Sequence, residues 1–282
     1  MIDETIEEIR EMQTHSSSVV AVKAARALTE LLGREYASVE EYETDLERNA
    51  RVLRRANPSH ASLFSAMRSV VDGVAGRADT VADAKALTRE TIDGVVEDIE
   101  LGKRRAAENL AETIEDGTTF LTHDYSTTVL EGVETAATAG RHLTGYVTEA
   151  RPRYLGRKTA RTLAEIDRVD THLLVDAAVA HALREADRVI LGLTCVVDDT
   201  YYNRVGTFPM VAVANELDVP VTVVGSSSKL IDEGFVFEEE ERPPSEIMLE
   251  PAEGFELENP TYDATPLDLV DEVVTDEGVR TL

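Results

Sequence analysis

Apolar residues recur at helical spacing through the first part of the chain. Examples are Val19, Val22, Leu28 and Leu31, and Gly33 is placed to end that helix. The same periodicity continues to about residue 117, and no stretch in this part alternates as a half-buried strand does. The pattern therefore predicts a series of consecutive helices.

Local signals set the bounds of these helices. Ser38 followed by Glu41 is a capping-box pattern, which predicts a helix beginning just after Ser38. That helix should end near Asn57, because the residue before a proline is pushed out of the α region. A further helix is predicted over residues 60–74, and one long helix or a broken pair over residues 80–115.

After Gly117 the pattern changes to short apolar runs separated by helical stretches. The runs cover residues 118–122, 143–148, 171–175, 188–193 and 220–224. Such alternation is typical of βαβ units in a parallel sheet. We therefore predict an α/β protein with an N-terminal helical domain, residues 1–116, followed by a Rossmann-like domain with a mainly parallel sheet, residues 117–282.

The last part of the chain combines an irregular segment with a helical signal. Residues 232–258 are rich in Glu and Pro, and we interpret them as a solvated surface loop. Thr265 followed by Pro266 suits an N-cap and the first position of a helix. A last helix is therefore predicted from about Thr265.

Polar residues follow the predicted strands. Ligands of open α/β sheets bind outside the carboxyl ends of the strands, so these residues are expected to converge on one crevice. Hydroxyls, guanidinium groups and backbone N–H groups at helix starts are what an anion such as phosphate requires. Asn203 and Arg204 have no evident structural role, which leaves a ligand or a subunit contact open, whereas Thr207 suits the N-cap of a helix over residues 208–217. The candidate ligand-binding residues are His123, Asp124, Arg151, Arg157, Asn203, Arg204, Ser227 and Lys229.

The charge balance excludes one class of partner. Asp and Glu number 55 against 28 Lys and Arg, for a formal charge of −27, and the acidic residues are spread along both halves of the chain. Nucleic-acid binding needs clustered basic residues, so no nucleic-acid partner is expected. A cationic partner is one interpretation of the acid excess. Hydration of the protein in a concentrated-salt cytoplasm is the other, and the scarcity of Lys favours it.

Further classes are excluded by what the sequence lacks. Cys195 is the single cysteine, so we expect no intrachain disulfide and no metal cluster, and Cys195 itself is expected to be a small buried residue. No Gly-rich dinucleotide fingerprint is present, and no cofactor is expected. The N-terminus is unlike a secretory signal, and no apolar run approaches the roughly 18 residues of a membrane span. No membrane partner and a cytoplasmic location are therefore expected.

A series of motifs resembles one known family over nearly the whole chain. The motifs are, in order, Thr122-His123, Glu149-Ala150-Arg151-Pro152 with Gly156, Asp176-Ala177-Ala178, Asn203-Arg204-Val205-Gly206-Thr207, Ser227 with Lys229, Asn259-Pro260, Asp263-Ala264-Thr265-Pro266 and Thr275-Asp276-Glu277-Gly278. With these motifs the sequence is similar to the family that joins the alpha, beta and delta subunits of eukaryotic translation initiation factor 2B with ribose 1,5-bisphosphate isomerase and methylthioribose 1-phosphate isomerase.

The resemblance implies a site for a phosphorylated sugar or nucleotide, with departures from the isomerases. The isomerases typically have Cys where this chain has Asp124, Asp where it has Thr194, and Arg where it has Asn57. Aldose–ketose isomerisation needs proton transfer at adjacent carbons, and we expect it to need two titratable groups. The departures favour a noncatalytic subunit similar to the alpha, beta and delta subunits, which the N-terminal run beginning Thr14-His15 also resembles.

The alternative is a ribose 1,5-bisphosphate isomerase acting in nucleotide salvage. In that case Asp124 would be the base, and Asp198 or Asp199 its partner. The partners implied by the resemblance are a phosphorylated small molecule, further copies of the chain in a dimer or larger assembly, and a translation initiation factor.

Overall fold

The computed structural model describes residues 2–11, 16–231, 234–239, 241–250 and 252–282. The chain forms two compact units, residues 1–101 and 102–282. The division falls inside a long helix, whereas the sequence pattern placed a boundary between residues 116 and 117, where helical periodicity ends. Because one helix crosses the division, no loop marks it.

The first unit is helical. Its core is built from the apolar faces predicted by the periodicity, including the fully buried Leu28, Leu31, Leu53 and Leu63. A 3-10 turn, Leu28–Gly33, continues the second helix to the predicted end at Gly33. The α-helices are α1 Ile2–Arg10, α2 Ser17–Ala27, α3 Val39–Arg55, α4 Ala61–Val74 and α5 Val81–Thr113.

The predicted capping box closes the start of α3. The Ser38 hydroxyl accepts a hydrogen bond from the backbone N–H of Glu41 at 3.2 Å. The Glu41 carboxylate accepts in turn from the backbone N–H of Ala37 at 2.7 Å. The first contact satisfies an amide that a helix start leaves without an intrahelical partner, and the second joins the residue before the N-cap to α3.

A seven-stranded sheet is the centre of the second unit. Its strand order is β11-β10-β7-β4-β1-β2-β3, and the pairs are parallel except for β10 with β11. These strands are β1 Thr119–Thr122, β2 Leu143–Thr148, β3 Val169–Leu174, β4 Arg188–Gly192, β7 Val221–Val224, β10 Glu272–Thr275 and β11 Gly278–Thr281. The predicted α/β class, with a helical N-terminal region and a mainly parallel sheet, is confirmed.

Helices cover both faces of this sheet. Phe120 packs in one apolar cluster with α6 and the end of α5, and its neighbour Leu121 packs in another with α8 and α9. Successive side chains of a strand point to opposite faces, so burial on both faces explains the continuous apolar runs. The helices are α6 Thr127–Thr138, α7 Leu155–Ala164, α8 Val179–Leu183 and α9 Thr207–Glu216.

A second, four-stranded sheet has the order β8-β5-β6-β9. Its strands are β5 Cys195–Val197, β6 Thr200–Arg204, β8 Leu230–Ile231 and β9 Tyr262–Pro266. The sequence pattern did not predict this sheet, because β5 and β8 have only three and two residues. The longer strands β6 and β9, five residues each, are rich in polar residues and show no alternation of apolar positions.

Two local predictions are wrong. No helix begins at Thr265, because Thr265 pairs with Tyr201 in the antiparallel ladder of β6 and β9. Pro266 ends β9, an edge strand, where a missing N–H group costs nothing. Thr207 is not an N-cap either: Gly206, at φ +102°, takes that position, and Thr207 is the first, fully buried residue of α9.

Within the described ranges, no helix combines the length and the apolar character that a membrane crossing requires.

Candidate functional site

His123 fixes the turn that follows β1. Its side chain is 3% exposed, and its Nε2 lies 2.8 Å from the carbonyl oxygen of Val205, so Nε2 carries the proton and donates it. Its Nδ1 lies 2.5 Å from the hydroxyl of Thr148 at the end of β2. A Cβ atom at Gly206 would come within 2.9 Å of the ring, so glycine is required there. His123 thus joins β1, β2 and the loop before α9.

Asp124 is the next residue and has a left-handed backbone, with φ +62°. Its carbonyl oxygen accepts a hydrogen bond from the hydroxyl of Thr159 at 2.5 Å. Its carboxylate lies 3.5 Å from Nε of Arg204, at the end of β6. The guanidinium of Arg204 also lies 4.7 Å from the centre of the Tyr262 ring. Two strands of different sheets therefore bring a carboxylate and a guanidinium together.

The turn after β2 is held by one carboxylate. Asp176 accepts hydrogen bonds from the backbone N–H groups of Ala150 at 2.8 Å and Arg151 at 2.7 Å. Ala150 has φ +56°, a conformation that these two bonds stabilise. The Arg151 side chain donates to the hydroxyl of Tyr154 at 2.7 Å and to the carbonyl oxygen of Ile247 at 3.2 Å.

These turns line a small cavity at the carboxyl ends of β1 and β2. Its volume is about 30 Å³, room for one or two water molecules. The predicted residues His123, Asp124, Arg151 and Arg204 line it. Among the described residues, its charged lining has four guanidinium groups against two carboxylates: Arg151, Arg153, Arg204 and Arg242, with Asp124 and Glu246. A local excess of positive charge thus forms in a chain whose formal charge is −27.

Part of this lining comes from the Glu- and Pro-rich segment, residues 232–258, for which the sequence predicts a solvated surface loop. Arg242 and Glu246 lie in it and line the cavity. In the same segment, the Phe237 ring stacks on the ring of Tyr202 in the second sheet, with ring centres 4.0 Å apart. The segment is mostly exposed and irregular, as predicted, but Phe237, Arg242 and Glu246 are partly buried. The signal in the sequence is Arg242 itself, the one basic residue among residues 232–258.

Four of the predicted residues do not line this cavity: Arg157, Asn203, Ser227 and Lys229. Arg157 forms an ion pair with Glu149 at 2.7 Å, and its guanidinium lies 3.8 Å from the centre of the Tyr154 ring. The Asn203 side chain donates to the hydroxyl of Thr207 and accepts from that of Thr194, both at 3.1 Å. A part of Arg157 and Asn203 in ligand binding stays a prediction.

Ser227 and Lys229 follow β7, at the same edge of the sheet but three strands from β2. Ser227 donates its backbone N–H and its hydroxyl to Asp276, at 2.6 and 3.0 Å. The Lys229 ammonium donates to the carbonyl oxygen of Leu193 at 2.7 Å, and burial lowers its pKa to about 8. Cys195 is fully buried, and burial raises the pKa of its thiol to about 12.

Two further expectations concern residues away from this cavity. Asp198 and Asp199 form the turn between β5 and β6 and line a different cavity, together with β10 and β11. They are therefore not neighbours of Asp124 in the lining described above. Thr14 and His15 lie outside the described residues.

The chain is similar to known proteins over almost its whole length. A model of the Initiation factor 2 subunit family matches residues 13–281. The ribose 1,5-bisphosphate isomerase of Haloterrigena turkmenica is 32% identical over 291 aligned residues, 97% of this chain and 88% of the relative. Relatives named putative methylthioribose-1-phosphate isomerase also match. These matches confirm the resemblance drawn from the sequence motifs.

Solved structures share the fold. The translation initiation factor eIF-2B of Pyrococcus horikoshii superposes with a TM-score of 0.83 at 23% identity, covering 99% of this chain and 96% of that one. A subunit of the tetrameric eIF2B-beta2-delta2 complex of C. thermophilum gives a TM-score of 0.79 at 19% identity, with 99% and 90% covered. At these identities the likeness concerns the fold alone.

The prediction of a noncatalytic initiation-factor subunit is wrong. Six relatives, 28–32% identical over nearly the full chain, are named ribose 1,5-bisphosphate isomerase. The matches favour the alternative, a sugar-phosphate isomerase.

Proposed function

We propose a function from one established premise: the chain belongs to the Initiation factor 2 subunit family. The proposed function is the aldose–ketose isomerisation of a phosphorylated sugar, with ribose 1,5-bisphosphate as the substrate. The names of the six isomerase relatives support it. The observation that carries it is the cavity at the carboxyl ends of the strands, which is lined by Asp124 and by four arginines.

Asp124 is the proposed base. Isomerisation moves a proton between two adjacent carbons, and one carboxylate placed beside both can take the proton from the first and return it to the second. Arg204, with its Nε 3.5 Å from this carboxylate, holds the carboxylate in place at the cavity. The same guanidinium can stabilise the negative charge that develops on the sugar oxygens. This arrangement removes the need for Asp198 or Asp199 as a second titratable group.

Cations at two places along the strand edge suit a substrate with two phosphates. Arg151 and Arg153 line the cavity beyond β2, whereas Ser227 and Lys229 follow β7. Three strand spacings separate β2 from β7, about 14 Å. An extended sugar bisphosphate, held by long side chains at both ends, can span this distance. Ser227 and Lys229 are therefore proposed contacts of the second phosphate.

A direct assay with ribose 1,5-bisphosphate tests the proposal. Asp124→Asn removes the base without changing its size, and kcat should fall at least about 100-fold, with a smaller change in KM. The matched control is Asp218→Asn, an exposed aspartate with a similar left-handed backbone, φ +56°, which should keep wild-type turnover. Absence of turnover by the wild type would refute the function, and full activity of Asp124→Asn would refute the role of Asp124.

Self-association is the proposed state in solution. Leu173 and Val175, at the edge strand β3, are 50% and 57% exposed. The C. thermophilum relative of the same fold is a tetrameric complex. The exposed apolar edge supports a dimer or larger assembly of this chain, which a measurement of mass in solution tests.

A further inference from the structure

The Glu246 carboxylate occupies the most cationic part of the cavity lining. Its Oε1 lies 2.7 Å from Nη2 of Arg242 and 3.9 Å from Nε of Arg153. Its Oε2 lies 3.5 Å from the side-chain amide nitrogen of Asn259. Two guanidinium groups and an amide around one oxyanion are the donors that also bind a phosphate group.

The charges around Glu246 favour an anion at this position. Arg153 is half-buried. Its pKa is lowered mainly by burial and further by the nearby positive charges of Arg242 and Arg204. Burial acts to raise the pKa of Glu246, but the hydrogen bond and the charge of Arg242 outweigh it, so that pKa is lowered. The arginines repel one another, and a negative group between them relieves the repulsion.

The cavity is small while Glu246 lies between the arginines. A volume of about 30 Å³ holds one or two water molecules and is too small for a phosphorylated sugar. Near Glu246, residues 242–247 contact the cavity wall through polar groups. Besides those of Glu246 itself, these contacts include Arg151 to the carbonyl oxygen of Ile247 and Asn259 to that of Pro243. Such contacts exchange more readily than buried apolar packing.

We infer that Arg153 and Arg242 form a binding subsite for a phosphate group, and that the Glu246 carboxylate is its internal competitor. A phosphate takes the place of the Glu246 carboxylate between the two guanidinium groups, and the Glu246 side chain turns away from them as it binds. The inference rests on the proposed function for the identity of the ligand, a phosphorylated sugar. The binding of the anion itself does not depend on turnover.

Calorimetric titration of the full chain with inorganic phosphate, at fixed pH and constant KCl, tests the competition. Glu246→Gln removes the competing charge and should lower the Kd for phosphate at least about tenfold, the scale of one charge-assisted hydrogen bond. Glu246→Ala should act in the same direction. Arg153→Gln should raise the Kd by a similar factor. The matched controls, Glu250→Gln and Arg161→Gln, alter exposed residues that do not line the cavity and should bind phosphate like the wild type.

The opposite sign would overturn the inference. If Glu246 served to hold the arginines in place, both Glu246 variants would bind phosphate more weakly than the wild type. Binding equal to that of the wild type would also refute the competition. The two proposals fail separately. Tighter phosphate binding by the Glu246 variants, without turnover of ribose 1,5-bisphosphate by the wild type, would support the subsite and refute the proposed isomerase function. Turnover, together with unchanged or weaker phosphate binding by the Glu246 variants, would refute the subsite alone.

Discussion

Lys229 makes the stability of the fold depend on pH in the alkaline range. Burial lowers its pKa from the ordinary value of 10.5 to about 8, so the folded state binds the proton less tightly than the unfolded state does. Below pH 8 the charge is buried at a cost of roughly 3 kcal/mol, and above pH 10.5 both states are neutral and the cost is gone. Lys229 therefore makes the protein more stable as pH rises through this window.

Urea unfolding of the wild type and of Lys229→Met, at several pH values between 7 and 11, measures this contribution. The free energy of unfolding of the wild type, minus that of the variant, should increase between pH 8 and pH 10.5. Taking the difference removes titrations common to both proteins. A flat difference would mean that the ammonium is as well stabilised in the fold, by the Leu193 carbonyl, as it is by water.

At the scale of single residues, the sequence predicted the convergence of those residues whose position follows directly from a strand. His123, Asp124 and Arg151 come just after β1 and β2, so the rule that strand ends meet at one edge was enough to predict that they line one cavity. Glu246 and Arg242 could not be found in this way, because residues 232–258 carry no periodicity that predicts where they fold. Arg157 was predicted from its type and place, but its neighbour Glu149 binds it outside the cavity.

The joint between β2 and α7 depends on the absence of a side chain. A Cβ atom at Gly156 would lie 1.7 Å from the carbonyl oxygen of Thr148, and a backbone atom cannot rotate away. Gly156→Ala should therefore lower the free energy of unfolding by about 3 kcal/mol or more. It should also weaken phosphate binding, because α7 follows directly on the turn that carries Arg151 and Arg153.

Gly94→Ala is the matched control for this change. Gly94 lies within α5, and a Cβ atom there would have no described atom within 4 Å. Alanine is the better helix former, so this variant should gain about 0.5–1 kcal/mol. Equal urea midpoints for the two variants would show that the close approach at Gly156 does not limit stability.

At the scale of elements, the sequence predicted structure where burial repeats along the chain. Strands β1, β2, β4 and β7 are buried on both faces, so their apolar runs are continuous and their bounds came out within a residue or two. The second sheet was not predicted from the sequence, in part because β8 has only two residues and β5 only three. The helix expected at Thr265 failed because the capping signal is local, whereas pairing with β6 is a long-range contact.

The net charge of the whole molecule sets the conditions for self-association. Each chain carries a formal charge of −27, so two copies repel each other over the Debye length. That length is about 30 Å at 0.01 M ionic strength and about 3 Å at 1 M. Apolar contact through the β3 edge does not depend on attraction between charges, so salt does not screen it. Screening of the repulsion therefore favours assembly at high salt.

We therefore expect the mass measured by light scattering to rise from that of one chain towards that of a dimer or larger assembly as KCl increases. Leu173→Lys together with Val175→Lys should keep the protein monomeric at high KCl, although each change reduces the net negative charge. The matched control is a pair of exposed acidic residues changed to lysine on another surface, Glu216→Lys with Asp218→Lys, which lowers the charge further and should assemble at lower KCl. Assembly of the β3 variant like the wild type would place the interface elsewhere. A mass that falls with KCl would mean that ion pairs, and not apolar contacts, join the copies, because salt weakens ion pairs between exposed groups.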